Sequence, residues 1–297
     1  MKDAARLLAY FAGTLIFAAL LAPVLYWIAQ SLAAHNILPR LAGYDFQTFF
    51  HRALLICALA LLWPLLRSFH LSFRELQLQP NRSWLRDIAF GFGFAALLLL
   101  LCGGALIALA IYSLRHNAQW SGLIGIAAAT LIVPIIEEAF FRGFLLGVIL
   151  HRNSKTVAIF CSSALYSVLH FLKAPDNATD AVNWSSGFRS IANSFGQFAE
   201  PMLLLSGFTT LFLIGWILAD TRLRTKSLAL PIGLHAGWIF ANGLFNRVAR
   251  RELTALPWIG KDLSIGLVPL VVALVTWALV ILWLRNRTPA TSHNESA

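Results

Sequence analysis

Charged residues are scarce in this chain. They make up 12% of its 297 positions, about half the share usual in a soluble globular domain. Together with 59% apolar residues and a mean hydropathy of +0.72, this excludes an ordinary soluble enzyme and a disordered chain. Cysteine is also rare. Cys57, Cys102 and Cys161 each sit in an apolar run with no paired spacing, so neither a disulfide framework nor a C-x-x-C metal site is suggested. Alternation of apolar and polar residues is missing from the apolar runs, which argues against a barrel of strands. No internal repeat and no basic patch interleaved with exposed aromatics is present. The formal net charge of +10 therefore does not point to a nucleic-acid partner. The Lys and Arg residues lie mainly in short loops between apolar runs, where they anchor at lipid headgroups.

What remains is an integral membrane protein. About eight apolar segments can be drawn, at 7–30, 49–66, 88–112, 122–150, 156–172, 201–219, 228–245 and 263–284. Most have the length of about 17–25 residues that carries a helix across the hydrocarbon core. The expected fold is all-α, a polytopic transmembrane helical bundle, with residues 1–297 forming a single integral membrane domain. The first segment is too long for a signal-peptide core and is read as a permanent span. The fourth, at about 43 Å if continuous, must tilt, protrude or be interrupted, and a kink at Pro134 is the expected cause. With the N-terminus inside, 13 Lys and Arg residues fall on the cytoplasmic side and eight opposite. Both termini are thus expected to be cytoplasmic, although Arg247, Arg250 and Arg251 run against the rule locally. The largest loop is expected at 173–197, and the polar tail 286–297 is expected to be disordered.

Acids inside the apolar segments carry the functional signal. Of the 13 Asp and Glu residues, Glu137 and Glu138 alone lie deep in a span, where a carboxylate costs a few kcal/mol even on lenient scales. Arg142 follows Glu138 by four residues and shares its helix face. Glu137 points about 100° away. His170 and His235 lie in two further spans. Each of these groups costs less facing the others and a wet cavity than facing lipid, so the helices are expected to bring them together. Gly143 with Gly147, and Gly233 with Gly237, form G-x-x-x-G pairs that let helices approach closely.

Glu137-Glu138-Ala-Phe-Phe-Arg142, Tyr166-Ser-Val-Leu-His170 and the segment around His235 form an ordered set of motifs: E-E-x-x-x-R, aromatic-x-x-x-His, and a third His element. Together they resemble the CPBP family of intramembrane proteases, which includes type II CAAX prenyl endopeptidases and bacteriocin-processing relatives. The resemblance covers about 122–245, the expected protease core. It implies an eight-helix membrane enzyme, set here in a bacterial cytoplasmic (inner) membrane. There are two departures from the pattern. Tyr166 stands where Phe is common. Ile239 stands where the third motif usually has Asn or Asp, and Asn242, on the same helix face, is the candidate substitute.

The implied activity is that of an intramembrane endopeptidase hydrolysing a peptide bond of a membrane-associated protein or peptide. Glu137 is the expected base, since burial raises a carboxylate's pKa towards neutral. Glu138 with Arg142 is expected to hold the geometry. His170 and His235 are expected to place the water and donate to the oxyanion, with Tyr166 lining the pocket. No cofactor is favoured. Glu137, His170 and His235 would make a zinc set with an open position, but no H-E-x-x-H presets two ligands on one helix. Buried Glu and His also suit a proton-coupled transporter, and the Ile239 departure suits a catalytically weak membrane scaffold.

Overall fold

In a computed structural model, each of the eight apolar segments is helical along most of its length. The structure describes residues 2–69, 82–117, 122–151, 153–171, 181–196, 201–253, 257–260 and 262–286. The tail beyond 286 and the first part of the expected 173–197 loop lie outside the described residues. Helices α1 (Lys2–Ala34), α2 (Phe46–Phe69) and α3 (Trp84–Ala108) come first. A short strand β1 (Tyr112–Leu114) leads to α4 (Leu123–Glu138), a π-helical turn (Ala139–Leu145) and α5 (Leu146–Leu150). Then follow α6 (Lys155–Phe171), α7 (Ser186–Ser194), α8 (Pro201–Leu203), a second π turn (Leu204–Phe208) and α9 (Thr209–Thr225). Helix α10 (Ala229–Val248), strand β2 (Ala249–Arg251) and α11 (Leu267–Arg285) close the chain.

Among the described residues, six helical stretches are long and apolar enough to cross a membrane: Ala5–Ala34, Phe46–Phe69, Trp84–Ala108, Leu123–Leu150, Leu204–Thr225 and Leu267–Arg285. The expectation was about eight. Helix α6 has only 17 residues, and the continuous helix α10 carries the polar residues His235, Asn242, Asn246 and Arg247. These are the helices that bear two of the three motifs; α6 misses the signal of a span through its length, and in α10 the polar residues dilute it. Large side chains such as Ile124, Leu131, Ile132 and Ile135 are exposed on α4. A soluble monomer rarely shows so much contiguous apolar surface; lipid satisfies it.

The chain packs as two compact units. One comprises Met1–Ser72 and Leu169–Pro201. Here Ala18, Ala19 and Ala22 of α1 meet Phe50, Ala53 and Cys57 of α2. Helix α7 falls inside the expected long loop and packs on α1: a Cβ on Gly187 would lie 2.1 Å from the Ala19 carbonyl oxygen. Gln47 Nε2 donates to Ser190 Oγ at 3.0 Å, tying α2 to α7.

The other unit comprises Phe73–Val168 and Met202–Ala297. Its centre is the pairing of α3 with α10. A Cβ on Gly233 would lie 2.4 Å from the Ile88 carbonyl oxygen, and one on Gly237 2.4 Å from that of Phe92. The expected close approach at this G-x-x-x-G therefore exists, against α3. At Gly147 nothing lies within 4 Å of an added Cβ, so that residue of the other pair mediates no close helix contact. Leu230, Leu234 and Trp238 of α10 join Ile217 and Leu218 of α9 in the core, and Phe90 of α3 stacks on Trp283 of α11 at 3.8 Å.

The third apolar run was expected to stay helical to Tyr112. It stops at Ala108, and Tyr112–Leu114 instead pairs antiparallel with Ala249–Arg251. Helices α3 and α10 thus end on one side, joined by this ribbon. Ser113 donates to Glu252 and the Arg250 guanidinium sits beside it; together they hold the Glu252 carboxyl below its ordinary range. The last helix begins at Leu267 rather than 263, after Gly266 at φ 132°, a conformation open to glycine.

Candidate active site

The fourth segment is interrupted, but not at Pro134, which lies buried inside α4. The break is the π turn that starts directly after Glu138. Its register is visible in the Leu146 N–H, which donates to the Phe141 carbonyl five residues earlier. Such turns often mark functional positions because they rotate side chains out of the α pattern. Ser162 Oγ of α6 donates to the same Phe141 carbonyl at 3.4 Å.

The π turn presents Arg142 to the interior beside Glu138. Both are fully buried, and Arg142 Nη1 donates to Glu138 Oε1 at 3.0 Å. The second guanidinium nitrogen, Nη2, donates to the Gly215 carbonyl of α9 at 3.2 Å. The guanidinium lies 4.4 Å from the Tyr166 ring centroid and 5.6 Å from that of Phe141. Gly215 makes this fit possible: a Cβ there would stand 3.1 Å from Ser163 Cα and 3.3 Å from Tyr166 Cδ1.

His235 bridges the two glutamates. Its Nδ1 is 2.8 Å from Glu138 Oε1, and its Nε2 is 3.9 Å from Glu137 Oε2. Glu138, paired with Arg142, is an acceptor, so Nδ1–H is the donor, and Nε2 is the ring nitrogen that faces Glu137. Glu137 differs from its neighbour in access, with a quarter of its side chain exposed. The gap of 3.9 Å exceeds a direct hydrogen bond, and Oε2 itself is buried, so the exposed part of the Glu137 side chain lies away from the imidazole.

The structure thus brings together Glu137, Glu138, Arg142, Tyr166 and His235. Tyr166 contributes its ring face to Arg142 and an edge to His235, at a centroid separation of 6.3 Å. His170 lies one turn beyond Tyr166 in the last turn of α6, and falls in the first compact unit. Ile239 is partly buried on α10. Asn242 accepts a hydrogen bond from the Leu263 N–H at 3.2 Å and another from Asn246 at 3.4 Å; it secures the chain leading into α11. No group of three or more His, Cys, Asp or Glu side chains is placed to hold a metal ion among the described residues. Glu137 and His235 alone do not make a zinc shell. Two parts of the site escaped the sequence reading. The π turn has no compositional mark in Ala-Phe-Phe-Arg-Gly-Phe-Leu. Gly215 had one faint signal, as a lone glycine in the middle of an apolar helix.

The fold and the site define a multi-pass helical membrane protein built around a buried acid–imidazole centre. Residues 117–241 match the family model described as type II CAAX prenyl endopeptidase Rce1-like. With the three motifs, this match supports membership of the CPBP family of intramembrane proteases. The matched stretch includes Glu137, Glu138, Arg142, Tyr166, His170 and His235, and ends before Asn242. Neither a curated protein nor a solved structure matches the chain.

Proposed function

We propose that this protein is an intramembrane endopeptidase in which Glu137 activates the attacking water. The observation that carries the reading is the division of labour between adjacent acids. Glu138 is sealed, paired with Arg142 and bonded to His235 Nδ1, whereas Glu137 is partly accessible and 3.9 Å from His235 Nε2. A small separation of the two side chains admits a water, which donates one proton towards Glu137 and the other towards Nε2. Its lone pairs then face outward, towards a scissile carbonyl. Glu137 takes the proton during attack and returns it to the leaving amine, as a general base that becomes a general acid. Glu138 keeps the imidazole in one tautomer and orientation, and Arg142 compensates its charge. His170 is assigned to the oxyanion by its place in the family motif. The substrate is a membrane-associated protein or peptide, and the setting is a bacterial cytoplasmic membrane with both termini inside.

The test is cleavage by purified protein in detergent against a panel of prenylated C-terminal peptides, leader peptides and membrane-spanning peptides. Glu137→Gln and Glu137→Ala are expected to lower turnover by about 10²–10⁴-fold while melting like the wild type. Wild-type turnover in either folded variant would refute the assignment.

A further inference from the structure

Two arginines are buried among the described residues, Arg142 and Arg222, the latter 3% exposed. Arg142 is answered by a carboxylate, a carbonyl and an aromatic face. Arg222 is not. Its Nε is buried with no hydrogen-bond partner, and no ion pair among the described residues includes it. Asp220, two positions earlier, is already taken: it accepts from Arg224 Nε at 2.8 Å and from Trp277 Nε1 at 2.9 Å.

The position of Arg222 is also defined. It follows Gly215 by seven residues, which sets it on the same face of α9, about 10 Å further along the axis. Between them Ala219 packs with Leu146, Ala158 and Ile159, so this face of α9 looks towards α5 and the start of α6. The connection between those helices, His151-Arg-Asn-Ser-Lys155, brings cations and no acid. Four residues beyond Arg222 the chain turns at Lys226, at φ 50°, and α10 begins at Ala229. The carbonyl end of α9 offers the guanidinium some partial negative charge, but that is a fraction of what enclosing an unpaired cation costs. The charge rule assigns this end, with Arg224 and Lys226, to the cytoplasmic headgroup layer, where basic pockets between helices meet anionic lipids.

We propose that Arg222 anchors an oxyanion site at this end of the helices, filled by the phosphate of an anionic phospholipid or by inorganic phosphate. The guanidinium fork suits two phosphate oxygens at once. The site is separate from the proposed peptidase centre, and its test does not use cleavage. The full-length protein is placed in phosphatidylcholine nanodiscs, in nanodiscs containing phosphatidylglycerol as well, and in phosphatidylcholine with added inorganic phosphate at matched ionic strength. A rise in Tm of about 3 °C is expected for the wild type with one of the two anions, and the anion that produces it identifies the source. Arg222→Met is expected to melt at or above the wild type in phosphatidylcholine alone and to show no rise. Arg222→Lys, the gentler variant, is expected to show a reduced rise. Arg224→Met, which removes an exposed charge at the same end, is expected to keep it. The proposal is overturned if the wild type responds to neither anion. It is overturned equally if Arg222→Met responds as fully as the wild type, if Arg224→Met abolishes the response, or if Arg222→Met melts lower without anion.

Discussion

Glu137 and Glu138 share a chemistry and a peptide bond, yet their surroundings separate them. Glu138 is enclosed with Arg142 and His235, whereas Glu137 stands 3.9 Å from the other imidazole nitrogen and is a quarter exposed. Breaking a buried ion pair strands the surviving charge, which typically costs about 3–5 kcal/mol. Arg142→Ala and Glu138→Ala are each expected to destabilise the protein by about that amount. The double variant strands no charge, so its loss is expected to fall short of the sum by more than about 1 kcal/mol. Denaturation of the three variants in detergent measures this; simple additivity would mean that the pair is not coupled. The spacing E-E-x-x-x-R made this pair legible, because four residues is one helical turn. The third partner, the Gly215 carbonyl, was not legible. It lies 73 residues away, and no local pattern announces a contact of that range.

Among the elements, the two G-x-x-x-G pairs read alike in the sequence but pack differently. Gly233 and Gly237 hold α10 against the backbone of α3, whereas Gly147 faces open space. Gly233→Ala forces a methyl to within 2.4 Å of the Ile88 carbonyl oxygen. It is expected to cost about 1–3 kcal/mol, as overpacking does. Gly147→Ala meets nothing and is expected to be neutral, or to stabilise by up to about 1 kcal/mol through helix propensity. Thermal melting of the two variants separates them; equal losses would mean that the α3–α10 contact is not as close as it stands here. A similar limit explains the interruption of the fourth segment. Pro134 announces a missing donor, and a kink there was the natural expectation. The π turn that occurs instead is held by tertiary bonds, Arg142 to Gly215 and Ser162 to Phe141, which become visible only once α6 and α9 are in place.

At the scale of the whole molecule, the apolar runs made the all-α membrane fold plain, and the residue order pointed to the cluster of Glu137, Glu138, Arg142, Tyr166 and His235. The signal of a span was weakest in two helices that carry motif residues, α6 through its length and α10 through its polar residues. The ribbon supplies what hydropathy did not. β1 follows α3 and β2 follows α10, and their pairing requires both helices to emerge on one side. Helix α10 has 20 residues, about 30 Å, which matches the hydrocarbon thickness. Its two ends are therefore expected on opposite sides, with Lys226 before it and Leu253 after the ribbon. In a background with Cys57, Cys102 and Cys161 replaced by alanine, single cysteines at His116, Leu253 and Lys226 test this with a membrane-impermeant maleimide. His116→Cys and Leu253→Cys are expected to react in intact cells, and Lys226→Cys only after permeabilisation, as the excess of Lys and Arg on the inner side requires. The reverse pattern would invert the protein and leave the fold intact. Reaction of all three from one side would mean that α10 does not cross the bilayer, and would take His235 out of the membrane interior.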